Sequence, residues 1–243
     1  LLSSVAFDSS VAGIFSTLTT GGTLCITSSS DIANVNFIAA LIVSQKVSHL
    51  LTVPSYYKLL LNALSDKESS LEQVTVAGET CPISLIEDHF KSKIGQSGCD
   101  LFNEYGPTEC SVWSSVHQYE EGKPVTATIG KPIANTRIYI LNEKEDLVPL
   151  GVIGELHIGG DGVTKGYLNN PDLTAQKFVK DPFSEAGLMY KTGDLGRWNA
   201  AGEIEFLGRK DNQVKVRGYR IELGEIQYAV EQYSLVEAAI VLV

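Results

Sequence analysis

The segment VSHLLTVPSYYKLLLNAL, residues 47–64, decides the fold class, because it predicts a strand followed directly by a helix. Apolar residues dominate 47–53, which indicates a buried strand, and Pro54 favours the first turn of a helix that runs to about residue 64. The same unit continues on both sides, with a helix pattern at Asn34–Gln45 and a strand pattern at Leu71–Ala77. Short strands separated by helices predict a parallel sheet with covering helices.

The alternation extends through the first hundred residues. Thr23–Thr27 predicts another strand after a Gly-Gly turn, Pro82 predicts the start of another helix, and Cys99–Phe102 predicts the last strand of the series. The fold class expected from this part of the chain is therefore α/β.

The pattern changes after about Ser111, where short strand-like runs are separated by Gly, Pro, Asn and Asp. These runs lie at Arg137–Leu141, Gly154–Ile158, Ile204–Leu207 and Val214–Val216. They predict an antiparallel, barrel-like part packed on the α/β part. A helix from Gly224 and a strand at Ala238–Val243 then predict the start of a small α+β unit.

Composition limits the possible partners. The 243 residues carry a formal net charge of −10, and the sequence pI is about 4.9. This charge argues against a nucleic acid or an anionic membrane as the main partner. The apolar stretch Val11–Leu18 is too short to span a bilayer, and the four cysteines have no metal-site spacing. We expect a folded, soluble, cytoplasmic protein with reduced thiols.

The segment NEYGPTE, residues 103–109, directly follows a predicted strand, where ligands of open α/β sheets bind. Its Gly-Pro pair predicts a tight turn that presents an aromatic ring, a hydroxyl and a carboxylate side by side. These groups suit a base, a phosphate oxygen and Mg²⁺ respectively. Taken alone, the segment is equally compatible with a surface turn that contains an incidental Thr-Glu pair.

Three other segments are weaker signals. In YKTGDL, residues 190–195, Asp194 is either a turn residue or a carboxylate for ribose hydroxyls. Residues 209–220 hold five of the 19 basic residues and predict either an anion site or a solvated hairpin. The glycine-rich GELHIGGDGVTKGYL, residues 154–168, lacks a Gly-Lys-Ser/Thr ending and a following helix, so it predicts tight turns in the barrel.

The order of these segments, after Phe7-Asp8-Ser9-Ser10 and before GRKDNQVKVRGYRIELGEI, resembles the adenylate-forming superfamily of acyl-CoA synthetases, luciferases and peptide-synthetase adenylation domains. The run Gln213–Ile226 and Asp8 are most similar to the nonribosomal peptide synthetase branch. The resemblance implies a rear part of the large N-terminal subdomain at 1–210, and a hinge with the start of the small C-terminal subdomain at 211–243.

The resemblance also implies a reaction and its participants. A carboxylate attacks the α-phosphate of ATP, giving an acyl-adenylate and pyrophosphate, with Mg²⁺ as cofactor. An amino acid is the substrate, and a phosphopantetheinyl carrier domain and a condensation domain are the protein partners. The implied nucleotide-binding residues are Gly78, Asn103, Tyr105, Thr108, Asp194 and Arg209.

Individual roles are implied by the same resemblance. Tyr105 packs on adenine with Asn103 near its edge, and Asp194 holds the ribose hydroxyls with Arg209 nearby. The implied catalytic residues are Thr108 at the α-phosphate, Glu109 as the Mg²⁺ ligand, and Lys215. Asp211 is the implied hinge residue, and Gly218 is implied to reach the pantetheine channel.

An amino-acid pocket is implied as well. Its lining consists of Asp8, Ser9, Ala12, Thr52, Thr75, Ala77, Glu104, Val112 and Trp113. Asp8 is implied to bind the α-ammonium, although it also suits a helix N-cap. A desolvated Glu104 needs a partner, which predicts a polar, basic or hydroxylated aromatic substrate side chain. The alternative is that Glu104 turns away and pairs locally.

Two elements of the family are missing from these 243 residues. They contain neither the Ser/Thr/Gly-rich phosphate loop ending in Pro-Lys-Gly nor the catalytic Lys of an Asn-Gly-Lys motif. We therefore expect this chain alone to be inactive. Two alternatives stay open, namely an acyl or aryl acid ligase of the same superfamily and a non-catalytic fragment that binds nucleotide.

Overall fold

The computed structural model describes residues 1–123, 125–184, 187–216, 219–233, 236 and 238–242. Within these ranges the helices are α1 Ser9–Thr19, α2 Ser29–Ile32, α3 Val35–Ser44, α4 Pro54–Ala63, α5 Ile83–Lys91, α6 Lys93–Gln96, α7 Pro171–Lys177 and α8 Leu223–Glu231. The strands are β1 His49–Thr52, β2 Gln73–Ala77, β3 Asp100–Tyr105, β4 Ser115–Tyr119, β5 Lys131–Pro132, β6 Thr136–Leu141, β7 Gly154–Gly160, β8 Phe178–Lys180, β9 Leu188–Trp198, β10 Ile204–Arg209, β11 Gln213–Val216 and β12 Tyr219–Glu222.

The first sheet is built from the strand–helix units that the sequence predicts. Its order in the described part of the chain is β1-β2-β3-β4-β5, with β1, β2 and β3 parallel and the last two pairings antiparallel. Helices α3, α4 and α5 contribute the buried side chains Ile42, Leu60 and Ile86 to the core beside this sheet. At two of these positions, Leu60 and Ile86, the side chain is 0% exposed. Truncating Leu60 to Ala is therefore expected to cost about 2–5 kcal/mol.

The second sheet is antiparallel, as the sequence predicts. The described strands run in the order β10-β9-β7-β6, and β8 pairs with the N-terminal end of β9. An antiparallel bridge joins Gly130, just before β5, to Ile204 at the start of β10. The Thr128 hydroxyl reinforces this junction by donating to the Ile204 carbonyl at 2.8 Å. The junction fixes the second sheet against the carboxyl end of the first one.

Two strand predictions are wrong. Residues 23–27 form no strand, because Cys25 and Thr27 make single hydrogen bonds with Leu1 rather than a ladder. Residues 238–242 also form no strand in the described part of the chain, and Val243 lies outside it. In both places the β-branched residues favour extended backbone, but a strand also needs a neighbour to pair with.

The fold thus confirms an α/β part followed by an antiparallel, curled sheet, with a β11–β12 hairpin and helix α8 after them. The hairpin pairs Gln213 with Glu222 and Val216 with Tyr219. Gly218 lies outside the described residues. Among the described residues, no helix has the length and apolar character needed to cross a bilayer.

Candidate functional site

Two adjoining cavities lie where the two sheets and the β11–β12 hairpin meet. The smaller has a volume of about 370 Å³ and the larger about 590 Å³. Residues shared by the two linings join them into one cleft: Gly78, Tyr105, Gly106, Asp194, Arg209, Gln213 and Lys215. The cleft therefore brings together residues that are up to 218 positions apart in the sequence, from Leu1 to Tyr219.

Asp194 enters the cleft because β9 bulges. Its residues 192–194 lie opposite Leu156 of β7, between the regular pairs Glu155–Leu195 and His157–Lys191. The Thr192 hydroxyl donates to the Leu156 carbonyl at 2.7 Å and accepts from the Asp194 amide at 2.9 Å. A bulge of this kind redirects a side chain out of the regular alternation.

The register of β10 on β9 places Arg209 directly opposite Asp194. Its Nη1 donates to Asp194 Oδ1 at 2.6 Å, and its other nitrogens form a two-point ion pair with Asp211 at 2.6 and 2.7 Å. Gly193 makes room for this arrangement. Its φ is +77°, and a Cβ there would lie 2.9 Å from Arg209 Nη2.

Tyr105 completes the carboxylate cluster from the end of β3. Its hydroxyl donates to Asp194 Oδ2 at 2.5 Å. Burial and the neighbouring Asp194 raise the pKa of Tyr105 well above its ordinary value, so the hydroxyl remains a donor. Burial also raises the pKa of Asp194, and the hydrogen bond from Tyr105 and the charge of Arg209 oppose that rise.

Asn103 and Glu104 precede Tyr105 on β3, and both line the smaller cavity. Asn103 is 5% exposed, and its side-chain amide donates to the Thr128 carbonyl at 2.8 Å. Glu104 differs, because burial alone raises the pKa of its carboxyl to about 7 and none of its neighbours on the described chain offsets that rise. Its cross-strand neighbours are the apolar Ala77 and Val116.

The Gly-Pro turn predicted after β3 leads into a tight loop. Gly106 allows this loop to close, because a Cβ there would lie 2.1 Å from the Val112 carbonyl oxygen. Thr108–Cys110 forms one 3-10 turn, and Ser111 and Val112 follow with φ of 60° and 76°. A positive φ is uncommon for a β-branched residue such as Val112, so the loop is strained at this point.

The turn separates two of the expected phosphate-site residues. Thr108 lines the larger cavity. Glu109 lines neither cavity and is 8% exposed, and its Oε1 accepts a hydrogen bond from the Tyr167 hydroxyl at 2.7 Å. Lys215 lines both cavities, and Asp211 lines the smaller one.

The larger cavity contains five of the residues expected around an amino acid. They are Asp8, Ser9, Thr52, Ala77 and Trp113. Asp8 occupies the N-cap position of α1, but its side chain makes no capping hydrogen bond. The alternative role of Asp8 as a helix cap therefore has no side-chain hydrogen bond to support it, and Asp8 is one of the residues that line the larger cavity.

The other four expected pocket residues lie elsewhere. Glu104 lines the smaller cavity only, and Ala12, Thr75 and Val112 line neither cavity. Thr75 is 6% exposed within β2, where it pairs with Leu51 and Phe102.

Comparison with known proteins agrees with this geometry. The family described as AMP-binding enzyme matches residues 1–168, more than half of the chain. The chain belongs to the AMP-binding enzyme family.

Relatives within the family are peptide synthetases. Tyrocidine synthase 3 of Brevibacillus parabrevis is 42% identical over 241 residues, and bacitracin synthase 3 of Bacillus licheniformis is 45% identical over 239 residues. These matches cover 98% of this chain but only 4% of either relative. The resemblance to the peptide synthetase branch is confirmed, and the chain spans a small fraction of these relatives' length.

Solved structures in the family share the fold. The adenylation domain AlmE of Vibrio cholerae, solved in complex with glycyl-adenosine-5'-phosphate, is 28% identical with a TM-score of 0.85. PA1221, an NRPS protein containing adenylation and PCP domains, is 25% identical with a TM-score of 0.83. This chain is covered to 98% and 96% respectively, and it covers 45% and 47% of those chains.

The structure of this AMP-binding enzyme also identifies residues that the sequence analysis left without a role. Tyr219 of the hairpin lines the larger cavity and packs edge-on against Phe7, with ring centroids 5.3 Å apart. Gln213 lines both cavities. Both residues belong to the basic motif of the sequence analysis, but only the folded hairpin shows that they face the cleft. Tyr167 lies in the glycine-rich segment for which the sequence predicts barrel turns, and its hydroxyl donates to Glu109 Oε1 at 2.7 Å.

Proposed function

We propose that this chain forms much of the nucleotide and amino-acid site of an ATP-dependent adenylation domain. The domain activates an amino acid as an aminoacyl-AMP and passes it to a phosphopantetheinyl carrier domain in nonribosomal peptide synthesis. One observation carries the proposal: the Tyr105–Asp194–Arg209 cluster adjoins a cavity that contains Asp8. The aminoacyl-adenylate bound to the related AlmE supports it.

The nucleotide is proposed to occupy the cleft between the two sheets. The Asp194 carboxylate, fixed by Tyr105 and Arg209, is suited to accept hydrogen bonds from two ribose hydroxyls. The ring of Tyr105 and the amide of Asn103 serve the adenine, beside Gly78. The hydroxyl of Thr108 serves the α-phosphate from the larger cavity.

The carboxylate of the amino acid attacks the α-phosphorus of ATP, and the bond to pyrophosphate breaks. Negative charge is redistributed over the phosphate oxygens in this step, so fixed donors and cations in the cleft stabilise it. Lys215 lines both cavities and is the cationic side chain that we assign to this work, together with Thr108. The chain's contribution is mainly positioning and electrostatics.

Glu109 is the proposed Mg²⁺ ligand. Mg²⁺ at nucleotide sites commonly uses one or two carboxylates and completes its shell with phosphate oxygens and water. The carboxylate of Glu109 is the kind of ligand that Mg²⁺ prefers, but Glu109 is buried, lines neither cavity and accepts a hydrogen bond from Tyr167, so its side chain would have to turn toward the cleft to bind the metal. When bound, the metal would neutralise charge on the phosphates.

Asp8 is the proposed partner of the substrate's α-ammonium group, because the residue lines the larger cavity and its side chain makes no capping hydrogen bond. Glu104 lines only the smaller cavity, and its partly buried carboxyl has no ion pair among the described residues, so we propose that it recognises a donor on a substrate side chain that reaches this cavity. We therefore propose an α-amino acid with a polar, basic or hydroxylated aromatic side chain.

Asp211 is proposed as the hinge residue. It separates a large subdomain, residues 1–210, from the start of a small subdomain, residues 211–243. Asp211 is two residues from Arg209 and holds it through a two-point ion pair. Rotation there lets one site serve adenylation and then transfer to the carrier. A condensation domain is the proposed acceptor-side partner, as suits a relative named dimodular nonribosomal peptide synthase.

ATP–pyrophosphate exchange with the synthetase that contains this chain tests the proposal. We expect exchange with a polar or basic amino acid and much less with its deaminated analogue. Preference for Leu, Val or Ile contradicts the role of Glu104, and equal use of the analogue contradicts the role of Asp8 and favours an acyl or aryl acid ligase. Nucleotide binding without any exchange favours a non-catalytic role.

The isolated 243 residues give a second, independent test. They lack the phosphate loop and the Asn-Gly-Lys motif, so we expect no exchange above background. Robust exchange by these residues alone would show that the cleft described above suffices for catalysis.

A further inference from the structure

The bulge of β9, residues 192–194, carries Asp194 and has lost its regular pairing with β7. Bulged residues leave the ladder, but their buried backbone groups still need hydrogen-bond partners. The Thr192 hydroxyl is the partner of the Asp194 amide. The amide of Gly193, the middle residue of the bulge, donates to Glu155 Oε1 at 3.1 Å. A side chain from the neighbouring strand β7 therefore replaces a missing ladder acceptor.

Glu155 also contacts the residue that follows β10. Its Oε2 lies 3.7 Å from Lys210 Nζ, and the Lys210 amide donates to the Gly193 carbonyl at 2.8 Å. Both backbone polar groups of Gly193 are thus held, the amide by the Glu155 side chain and the carbonyl by the Lys210 backbone. The middle of the bulge is therefore fixed from two strands at once, immediately before Asp194.

Glu155 acts on a ligand only indirectly, because it lines neither cavity. It belongs to the glycine-rich segment for which the sequence predicts tight turns, and turns alone give no reason for a glutamate at this position. Its side chain is only 14% exposed, so water screens the carboxylate weakly. A hydrogen bond to a carboxylate is stronger than one to a neutral carbonyl, so Glu155 holds the bulge more firmly than an ordinary ladder acceptor would.

We propose that Glu155 is a positioning residue for the Asp194 carboxylate, which it fixes by holding the preceding residue of the bulge. The inference rests on the proposed role of Asp194 at the ribose hydroxyls. Loss of the Glu155 carboxylate leaves the Gly193 amide without its acceptor, and the bulge then shifts to recover one. Asp194 would lose its alignment with the Tyr105 hydroxyl and the Arg209 guanidinium, and with it the orientation that suits two ribose hydroxyls.

The test compares ATP with 2′,3′-dideoxy-ATP, which lacks both ribose hydroxyls, by isothermal titration calorimetry on the synthetase that contains this chain. We expect the wild type to bind ATP at least about 5-fold more tightly, because only ATP can donate to Asp194. Glu155→Ala should reduce this preference to about 2-fold or less, through weaker binding of ATP alone. A merely structural role would weaken the binding of both nucleotides alike and leave the preference unchanged.

Two conservative variants refine the test. Glu155→Gln keeps an oxygen that can accept from the Gly193 amide, so it should retain most of the preference for ATP. Glu155→Asp keeps the charge but withdraws it by one methylene, so the preference should fall as in Glu155→Ala, and this variant serves if the Ala variant folds poorly. Glu205→Ala is the matched control, since Glu205 pairs with Arg197 beyond the bulge, and it should bind both nucleotides as the wild type does.

Asp194→Ala separates failure of the inference from failure of the proposed function. If it abolishes the preference for ATP while Glu155→Ala and Glu155→Asp keep the wild-type preference, the positioning role is wrong and the proposed nucleotide site stands. An equal loss of preference in Glu155→Gln and Glu155→Ala also overturns the inference, since the hydrogen bond to Gly193 is then not the cause. If the wild type itself binds both nucleotides alike, Asp194 does not hold the ribose, and the inference fails together with that part of the proposed function.

Discussion

Two carboxyls, the buried Asp194 and the partly buried Glu104, line the same small cavity from different sheets, and their surroundings differ sharply. Asp194 lies on the antiparallel side, with Arg209 at 2.6 Å and the Tyr105 hydroxyl at 2.5 Å. Glu104 lies on the parallel side between Ala77 and Val116, and only burial acts on its pKa, which is raised to about 7.

The difference indicates that the two carboxyls bind a ligand in different ways. Asp194 already has partners that stabilise its charge and fix its oxygens, which suits a group that receives the same ribose hydroxyls in every turnover. Glu104 has a desolvation cost that no described protein group offsets. A ligand that brings a donor or a cation would supply what the protein leaves out.

Asp194→Ala is expected to have the largest effect of the substitutions that test this comparison. Removing one partner of a buried ion pair leaves Arg209 with an uncompensated charge on that side, which should cost about 3 kcal/mol of the free energy of unfolding. ATP affinity should fall at least about 5-fold, because the ribose hydroxyls lose their acceptor. Urea denaturation and isothermal titration calorimetry measure the two effects.

Asp146→Ala is the matched control, since Asp146 is exposed and lies in the β6–β7 connection away from the cleft. It should change neither quantity. An unchanged ATP affinity in Asp194→Ala would remove Asp194 from the nucleotide site.

The second-largest effect is expected from Glu104→Gln, which removes the charge of Glu104 and with it a pH dependence of stability. The folded carboxyl titrates near pH 7, whereas an unfolded one titrates near 4.3, so the unfolded state loses its proton first as pH rises. The wild type should therefore lose stability between about pH 4 and pH 7, and the variant should not. The variant should be more stable by roughly 2 kcal/mol at pH 8 and about equal to the wild type at pH 4.

Urea midpoints measured across that pH range give the answer. Parallel curves for wild type and variant would mean that Glu104 has a partner when folded. In that case the contrast with Asp194 fails, and so does the argument for a polar substrate.

The contrast also shows what the sequence can predict. The strand–helix periodicity predicts the first sheet because each helix and strand has its own apolar pattern, and residues 47–64 form β1 and α4 almost as expected. The motifs predict part of the cleft lining, since Tyr105, Asp194 and Arg209 do meet there. The expected site residues Ala12, Thr75, Glu109 and Val112 line neither cavity. Residues 23–27 show the limit, since strand propensity does not provide a pairing partner.

Positions that depend on register or bulges were less predictable. Asp194 reaches the cleft through a three-residue bulge in β9, and Glu104 lines the smaller cavity rather than the larger one. Tyr167 contacts Glu109 across 58 positions of sequence, which no local pattern encodes. In each case the deciding fact is a tertiary contact.

A smaller effect is expected from Tyr105→Phe, which removes the hydrogen bond to Asp194 but keeps the charge of Asp194. Loss of the hydroxyl should cost about 1 kcal/mol of the free energy of unfolding. The hydrogen bond lowers the pKa of Asp194, so its loss should raise that pKa further. ATP affinity should then fall more at pH 6 than at pH 8, because more of the carboxyl is protonated at the lower pH.

Titrations of ATP at the two pH values check this dependence. Tyr228→Phe, at an exposed position on α8, is the control for loss of a tyrosine hydroxyl. An equal loss of affinity at both pH values would show that Tyr105 acts on the nucleotide directly rather than through Asp194.

The smallest effect should come from Arg197→Ala, which tests whether burial or strand register gives the Asp194–Arg209 pair its strength. Arg197 and Glu205 face each other on the same two strands, with Nε and Oε2 2.7 Å apart. Their side chains are 44% and 23% exposed, against 15% and 9% for Arg209 and Asp194. Water screens the outer pair, so a double-mutant cycle of Arg197→Ala with Glu205→Ala should give a coupling of about 0.5 kcal/mol that fades in high salt. The corresponding cycle for Asp194 and Arg209 should give a coupling several times larger and less dependent on salt. Equal couplings would mean that cross-strand geometry alone sets the coupling energy of an ion pair. Burial would then not explain why the Asp194–Arg209 pair is stronger than the Arg197–Glu205 pair.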